Sequence, residues 1–154
     1  MRRRWWLWLT VAVVVAFGAI QLVPYRVTNP SPRDEPTWDS PRTRALAKVA
    51  CFDCHSNESR VAWWEKVAPL SWWITNHVDD GREKLNFSEW STHHGEGIGD
   101  SVETIAGGSM PPDYYTWLGM HSNAKLTPTE KQQLVDGLRK TAARSKVGAN
   151  ATGG

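Results

Sequence analysis

The sequence is poor in cysteine and has no acidic residue near its start. Only two of its 154 residues are cysteines, which excludes a four-cysteine zinc site or a framework of several disulfides. No strand-like alternation and no internal repeat is evident, which argues against a β-rich or repeat architecture. From Tyr25 onward, 15 basic and 16 acidic residues leave a net charge of −1. Nucleic-acid binding is therefore not expected.

Both cysteines lie in the run Cys51-Phe52-Asp53-Cys54-His55. This is the pattern to which haem is covalently attached in c-type cytochromes. Two thiols three positions apart reach the two vinyl groups of one porphyrin edge as thioethers, and the imidazole that follows becomes the proximal iron ligand. The run predicts one haem c per chain, with Cys51 and Cys54 as attachment points and His55 as ligand.

Three other interpretations of the cysteine pair compete with haem attachment. A zinc site would have to recruit scattered histidines. A redox-active dithiol of the thioredoxin type should follow an apolar strand, whereas the residues before Cys51 predict a helix. A structural disulfide gives no reason for His55 to follow Cys54. Haem attachment accounts for all three side chains.

Residues 1–23 predict a cytoplasmic arginine cluster and a transmembrane anchor. Residues 5–23 are apolar except for Thr10, Gly18 and Gln21, and as a helix they would span about 28 Å, close to the hydrocarbon thickness of a bilayer. The arginines place the N-terminus in the cytoplasm. A cleaved signal peptide is the competing interpretation, but no convincing cleavage site is present. Either way, the domain is predicted to lie outside the bacterial plasma membrane.

The rest of the chain is predicted to form three segments. Residues 24–41 are proline-rich and predict an extended tether, residues 42–145 the haem-binding domain, and residues 146–154 a flexible tail. Within the domain, helical periodicity and stop signals predict five helices. They cover residues 41–50, 61–67, 69–85, 100–106 and a C-terminal stretch from residue 128.

The helix over residues 69–85 carries an apolar stripe. Its members are Leu70, Trp73, Ile74, His77 and Val78, whose spacing predicts a buried face. His77 on this stripe is interpreted as a core histidine bonded to backbone rather than as a haem ligand. The ten tryptophans of the chain predict aromatic walls around a flat cofactor.

The run Ser109-Met110-Pro111-Pro112 predicts the sixth iron ligand. Each proline biases its predecessor toward an extended backbone, so Met110 is not a helical core residue. A methionine in a stiff loop can present its thioether to the iron, opposite a histidine. An open site, His77, His121 and Met120 remain alternatives. The paired histidines next to Glu96 could hold a second metal, but a solvated loop is favoured.

Two helix starts are marked by capping residues. Ser40-Pro41 begins the helix that leads into Cys51, and Thr127-Pro128 with Glu130 forms a capping box. By analogy with small cytochromes c, these terminal helices are expected to pack together. The predicted fold is all-α: a cytochrome c-like small helical domain around one covalent haem, preceded by an N-terminal transmembrane helix.

Taken together, these stretches resemble a family of small bacterial haem-binding domains that usually lie near the outer face of the plasma membrane. The resemblance covers residues 42–140. It implies covalent haem c on Cys51 and Cys54 with His55 as proximal ligand. One departure is Val61-Ala62-Trp63-Trp64, where the family has a Trp-Pro-Trp-Tyr-like run. The matching runs are residues 51–59, 68–72, 81–82, 85–90, 110–112, His121 and 125–127.

The function predicted from the sequence is electron transfer by a membrane-anchored mono-haem cytochrome with His55/Met110 ligation. Its partners would be the membrane, through residues 5–23, and an unidentified redox protein. No acid–base or nucleophilic set is evident beyond the haem motif, so an enzyme is not predicted. The alternatives are a haem-based sensor or peroxidase-like domain with an open or displaceable sixth ligand, and a module in which haem is a structural staple.

Overall fold

The computed structural model describes residues 2–92, 97–117 and 121–151. These residues form helices and loops, and their only β-type pairing is one bridge between Asp34 and Glu89. The predicted all-α class is confirmed. The α-helices are α1 (Arg2–Ile20), α2 (Pro41–Ala50), α3 (Phe52–His55), α4 (Leu70–Lys84), α5 (Gly97–Ala106), α6 (Asp113–Thr116) and α7 (Pro128–Ala151), with short 3-10 helices at Trp64–Lys66 and Ser122–Ala124.

Helix α1 is shorter at its end than the sequence predicted. The amides of Gln21, Leu22 and Val23 bond to carbonyls three residues back, so the helix tightens into a turn before Pro24. The apolar side chains of α1 are exposed. Among the described residues, no helix combines the length and the apolarity that crossing a membrane requires.

Both predicted capping sites are confirmed. The Ser40 hydroxyl accepts the Thr43 amide at 3.2 Å, which satisfies a free N–H in the first turn of α2. At α7, the Thr127 amide donates to Glu130 Oε2 at 3.0 Å and the Glu130 amide donates to Thr127 Oγ1 at 3.3 Å. This reciprocal pair is a capping box.

Helices α2 and α7 pack against each other, as expected for the terminal helices. A side chain at Gly137 would collide with Thr43, so glycine permits this close crossing. Helix α5 lies against α7 from another side. The core between them is aliphatic and aromatic, and consists of Leu46, Ala47, Ala50, Phe52, Leu85, Phe87, Trp90, Ile98, Val102, Ile105, Leu134, Val135 and Leu138.

The proline-rich segment 24–41 does not extend away from the domain. Arg33 donates its amide to Ser88 O at 2.8 Å, Trp90 donates to Asp34 O at 3.4 Å, and Asn29 Nδ2 donates to Ser59 O at 2.9 Å. The segment therefore follows the domain surface, and the predicted spacer role does not fit this placement. Because its prolines lack amide donors, side chains and scattered amides make these contacts.

The prediction for the buried face of α4 is confirmed at Val78 and was wrong for the other members of the stripe. The helix buries Ser71, Thr75, Val78 and Gly81, whereas Trp73 is 47% exposed. The reason is tertiary, because small residues let α4 approach the backbone of α3 closely. The apolar stripe instead lines a cavity described below.

Two further boundaries differ from prediction. Residues 61–67 form only the 3-10 helix Trp64–Lys66, where the Glu65 carboxylate accepts the Ala62 amide at 2.6 Å. Helix α7 continues to Ala151, into the segment 146–154 predicted as a tail. No proline interrupts that stretch, so nothing in the backbone stops the helix.

Candidate functional site

The motif residues share one helical turn. Cys51 ends α2, with its amide bonded to Ala47 O at 2.8 Å, and its own carbonyl accepts the amides of Cys54 and His55 at 3.1 and 2.9 Å. Cys54 and His55 are therefore carried by the turn α3, and Cys51 stands at the junction of α2 and α3. Neither cysteine is in a disulfide.

The two residues between the cysteines point to different parts of the molecule. Phe52 is buried in the core and stacks on Phe87, with ring centroids 5.5 Å apart. Asp53 instead accepts a hydrogen bond from Tyr115 at 2.7 Å. One residue ties the motif to the core, and the other ties it to the loop that follows Met110.

His55 is held on both its ring and its backbone. Its Nδ1 lies 3.1 Å from Leu85 O, and its carbonyl accepts the Phe87 amide at 2.8 Å. Burial lowers the pKa of His55 below its usual range, which favours the neutral ring. With the proton on Nδ1 donated to Leu85, the lone pair on Nε2 is free to bind a metal.

A buried amide network supports the loop after the motif. Asn86 Nδ2 donates to Asn57 Oδ1 at 2.9 Å, Asn57 Nδ2 donates to Glu89 Oε1 at 2.9 Å, and the Asn57 amide donates to Ser88 Oγ at 3.0 Å. Asn57, Asn86 and Ser88 are buried. The network therefore connects residues 56–59 to residues 85–90, which are far apart in the sequence.

Arg82 joins three parts of the chain. Its guanidinium donates to Ser56 O and Thr28 O, each at 2.8 Å, to Ser59 Oγ at 2.9 Å and to Asn29 Oδ1 at 3.1 Å. These acceptors are neutral, and burial lowers the pKa of Arg82. The planar guanidinium, with several N–H donors in fixed directions, suits these four acceptors better than the single ammonium group of lysine would.

Gly81 sets the distance between α4 and the motif. A Cβ at this position would lie 2.6 Å from the Cys54 carbonyl oxygen. That separation is shorter than any normal carbon–oxygen contact, so only glycine permits this approach of α4 to α3.

A cavity of about 700 Å³ next to the motif is lined by Cys51, His55 and Met110. This volume is within the range of cofactor sites. The rest of its lining is mainly apolar, with charged groups Glu83, Lys84 and Asp100. The structure thus brings three of the four sequence-predicted site residues to one cavity.

Cys54 lines a second cavity of about 330 Å³. The predicted aromatic walls are found here rather than around the larger cavity, which His55 and Phe87 line among its mainly aliphatic and polar residues. A single haem attached through both thiols would have to contact both cavities. The aromatic residues of the second cavity are Trp64, Trp73, Tyr114, Tyr115, Trp117, His77 and His121.

The structure also bears on the alternatives for the cysteine pair. Burial raises the pKa of Cys51 to about 12 and that of Cys54 to about 11. A thioredoxin-like dithiol needs the opposite shift. No group of three or more histidine, cysteine, aspartate or glutamate side chains in the described part of the chain is placed to hold a metal ion.

Two of the alternative sixth ligands, His77 and His121, do not line the His55 cavity. His77 Nδ1 bonds to Trp73 O at 2.8 Å, the backbone bond that was expected, although the residue is only half-buried. His121 Nε2 lies 3.1 Å from Glu65 Oε1. Both rings line the second cavity. Met120 and the His93-His94-Glu96 run lie outside the described residues.

A family model for a haem-binding domain matches residues 15–140, which is most of the chain. The chain belongs to this family of haem-binding domains. Searches among curated proteins and among solved structures found no match.

The residues present suit a haem. The haem-binding domain offers an imidazole whose Nε2 is free, two thiols outside any disulfide, and a thioether in the same cavity as the imidazole. Histidine and methionine are established axial ligands, and thiols carry covalent haem.

Sequence reasoning missed the residues that hold the site together. Tyr115, Asp53 and Glu65 have no local signature, because their partners are 56 to 62 residues away. For Arg82 and Asn86 there was a signal, since both stand in runs that carry the family resemblance. Polar residues that recur in such runs without a chemical role are candidates for buried networks.

Proposed function

We propose that this haem-binding domain carries one haem c, attached through Cys51 and Cys54, with His55 and Met110 as axial ligands, and that it transfers electrons. The observation that supports this most directly is that His55 and Met110 line the same cavity of about 700 Å³. Imidazole and thioether form the axial pair of electron-carrying cytochromes c. A haem with both axial positions filled supplies a one-electron couple and leaves no site for a substrate.

The surrounding residues would tune that couple. The bond from Nδ1 of His55 to Leu85 O fixes the ring orientation and raises the basicity of the ligating nitrogen. Ile105, Leu138 and Phe87 supply apolar surface to the cavity. Such a lining lowers the local dielectric and disfavours added positive charge, which favours the reduced state.

Visible spectra of the oxidised and reduced protein, produced in a host that matures cytochromes c, test the ligand assignment. The oxidised wild type should be low-spin with the weak far-red band of sulfur-to-ferric ligation. Met110→Ala should lose this band, and Met120→Ala, the matched control, should keep it. A wild-type spectrum that Met110→Ala leaves unchanged would contradict the electron-transfer proposal.

Covalent attachment and stoichiometry need a separate test. The intact mass of the denatured protein should exceed the chain mass by one haem. Replacement of both cysteines by alanine should abolish this increment, since the thioethers are the attachment bonds. A wild-type protein that releases its haem on denaturation would show that the attachment is not covalent.

One observation favours a second candidate function. Met110 is 40% exposed, so an external ligand could displace its thioether. A haem-based sensor or a peroxidase-like domain would use such a displaceable position. A reduced protein that binds carbon monoxide readily, or an oxidised one that turns over peroxide, would favour this candidate over the electron carrier.

Location and partners form the remaining part of the proposal. The basic start and apolar run support a domain on the outer side of the plasma membrane, although no described helix is suited to cross a bilayer. The partner would be a redox protein that docks transiently through a small interface. Resistance of the membrane-bound protein to carbonate extraction would support an anchor, and recovery in the extract would reject it.

A further inference from the structure

Tyr115 connects the loop that carries Met110 to the attachment motif. Its hydroxyl donates to Asp53 Oδ2 at 2.7 Å. Burial, together with this carboxylate, raises the pKa of Tyr115 far above its usual range, so the phenol keeps its proton. A hydrogen bond from a neutral hydroxyl to a carboxylate is short and stronger than one between neutral groups.

The acceptor is fixed to the motif. Asp53 belongs to the turn α3 that also carries Cys54 and His55. Its other oxygen accepts the Arg60 amide at 3.1 Å and Arg60 Nε at 3.4 Å. The carboxylate therefore cannot move toward Tyr115 without moving the haem-attachment turn.

The chain between Met110 and Tyr115 is stiff. Pro111 and Pro112 each fix one backbone dihedral, and α6 (Asp113–Thr116) follows at once. On the other side of Met110, the amides of Ser109 and Met110 bond to Thr104 O at 2.9 and 3.3 Å. Met110 is thus held between two attachment points, and the position of Tyr115 limits where the thioether can lie.

His121 supports the phenol ring from one face. The two rings are parallel within 10°, with centroids 4.1 Å apart, and His121 Nε2 lies 3.1 Å from Glu65 Oε1. His121 has φ 45°, a left-handed conformation that a residue with a side chain keeps only where its surroundings determine it. Two contacts therefore meet at Tyr115, and His121 Nδ1 also lies 3.8 Å from the acceptor oxygen, Asp53 Oδ2.

We propose that Tyr115 is a positioning residue for the sixth iron ligand: its hydrogen bond to Asp53 fastens the Met110 loop to the haem-attachment turn. This inference rests on the ligand role proposed for Met110. It also gives the second variable residue of the motif, Asp53, a task beyond spacing the cysteines.

The test compares two tyrosines whose hydroxyls each donate to a carboxylate. Tyr115→Phe removes the hydroxyl and keeps the ring that stacks on His121. Tyr25→Phe is the matched control, because its hydroxyl also donates to a carboxylate, Asp79 Oδ2 at 3.2 Å, and its side chain lines neither of the two cavities. Imidazole is the probe, since it competes with a thioether for ferric iron. Loss of one such bond should raise the imidazole affinity of oxidised Tyr115→Phe about tenfold, while Tyr25→Phe should stay within about twofold of the wild type.

A double-mutant cycle separates this bond from general loosening. Asp53→Ala should raise the imidazole affinity by a similar factor, and adding Tyr115→Phe to Asp53→Ala should have no further effect. Additive effects of the two changes would contradict the proposal.

The two proposals can fail separately. If the wild type shows the far-red sulfur band and Tyr115→Phe keeps both the band and the wild-type imidazole affinity, the positioning role is overturned while ligation by Met110 stands. If haem is attached but the wild type lacks the band, Met110 is not the ligand, and both proposals are overturned.

Discussion

The two sides of the haem motif are built differently. On one side, an attachment frame made of residues 55–59, residues 85–90 and Arg82 is largely buried, and side chain–backbone hydrogen bonds connect its parts. On the other, a ligand loop of residues 109–117 exposes Met110 and Trp117, the latter to 66%. The His55 side is held by many buried hydrogen bonds, whereas the Met110 side depends on a few contacts.

From this difference we expect the attachment frame to determine the stability of the domain and the ligand loop to determine the ligation of the iron. Substitutions in the frame should lower the free energy of unfolding. Substitutions in the ligand loop should change the iron spectrum and leave the stability nearly unchanged. The following variants test that contrast, in order of decreasing expected effect.

Arg82→Ala should have the largest effect. It removes four hydrogen bonds and leaves the buried Ser56 carbonyl without its guanidinium partner. We expect the free energy of unfolding of the haem-loaded protein to fall by about 3 kcal/mol or more. Guanidinium chloride denaturation measures it.

Arg139→Ala is the control for that variant. Its side chain is exposed and makes one pair with Asp136 within α7, so its loss should cost less than about 0.5 kcal/mol. If Arg82→Ala and Arg139→Ala lowered the free energy of unfolding by similar amounts, the proposed difference between the attachment frame and the surface would be contradicted.

Gly81→Ala should have an intermediate effect. The added methyl would push α4 away from the Cys54 carbonyl, and we expect a loss of about 2 kcal/mol. Gly99→Ala in α5, where a Cβ has no neighbour within 4 Å, should instead stabilise by about 0.5 kcal/mol, because alanine is the better helix former. Thermal unfolding of both variants measures these changes in stability. An unchanged stability of Gly81→Ala would mean that α4 can move away from α3 without cost.

Trp117→Ala should have the smallest effect, within about 0.5 kcal/mol, because the side chain is mostly exposed. The same change at Trp90, which is buried and lies parallel to Phe87, should cost about 3 kcal/mol or more. Denaturant unfolding measures the loss of free energy of unfolding when a tryptophan is removed from the ligand loop, at Trp117, or from the attachment frame, at Trp90. Equal losses would mean that the ligand loop contributes to stability as much as the frame does.

The elements predicted best from the sequence are those with local causes. The caps at Ser40 and at Thr127 with Glu130 depend on residues within three positions, and both were located correctly. The buried face of α4 was, except at Val78, predicted incorrectly because its partner is the backbone of α3, which no periodicity reveals. The proline-rich segment was assigned as a spacer from composition alone, whereas its placement depends on acceptors in residues 56–59 and 86–90.

The candidate site shows the same division. Cys51, Cys54 and His55 form a recognisable pattern because the predicted attachment and ligation would need neighbouring residues, and Met110 is recognisable because prolines follow it. The bond between Tyr115 and Asp53 joins residues 62 positions apart, and a tyrosine in a loop does not reveal an acceptor at that distance. The side chains that connect the parts of the site could therefore be identified only from the structure.

Gln21, the residue after α1, makes a contact that has a mechanical consequence. Its side-chain amide donates to Ala68 O at 3.1 Å and accepts the Ala68 amide at 2.9 Å, as a neighbouring strand would. Two parallel bonds resist twisting as well as separation. A force applied along α1 would therefore be transmitted to Ala68 and the start of α4, and from there to the turn that holds His55.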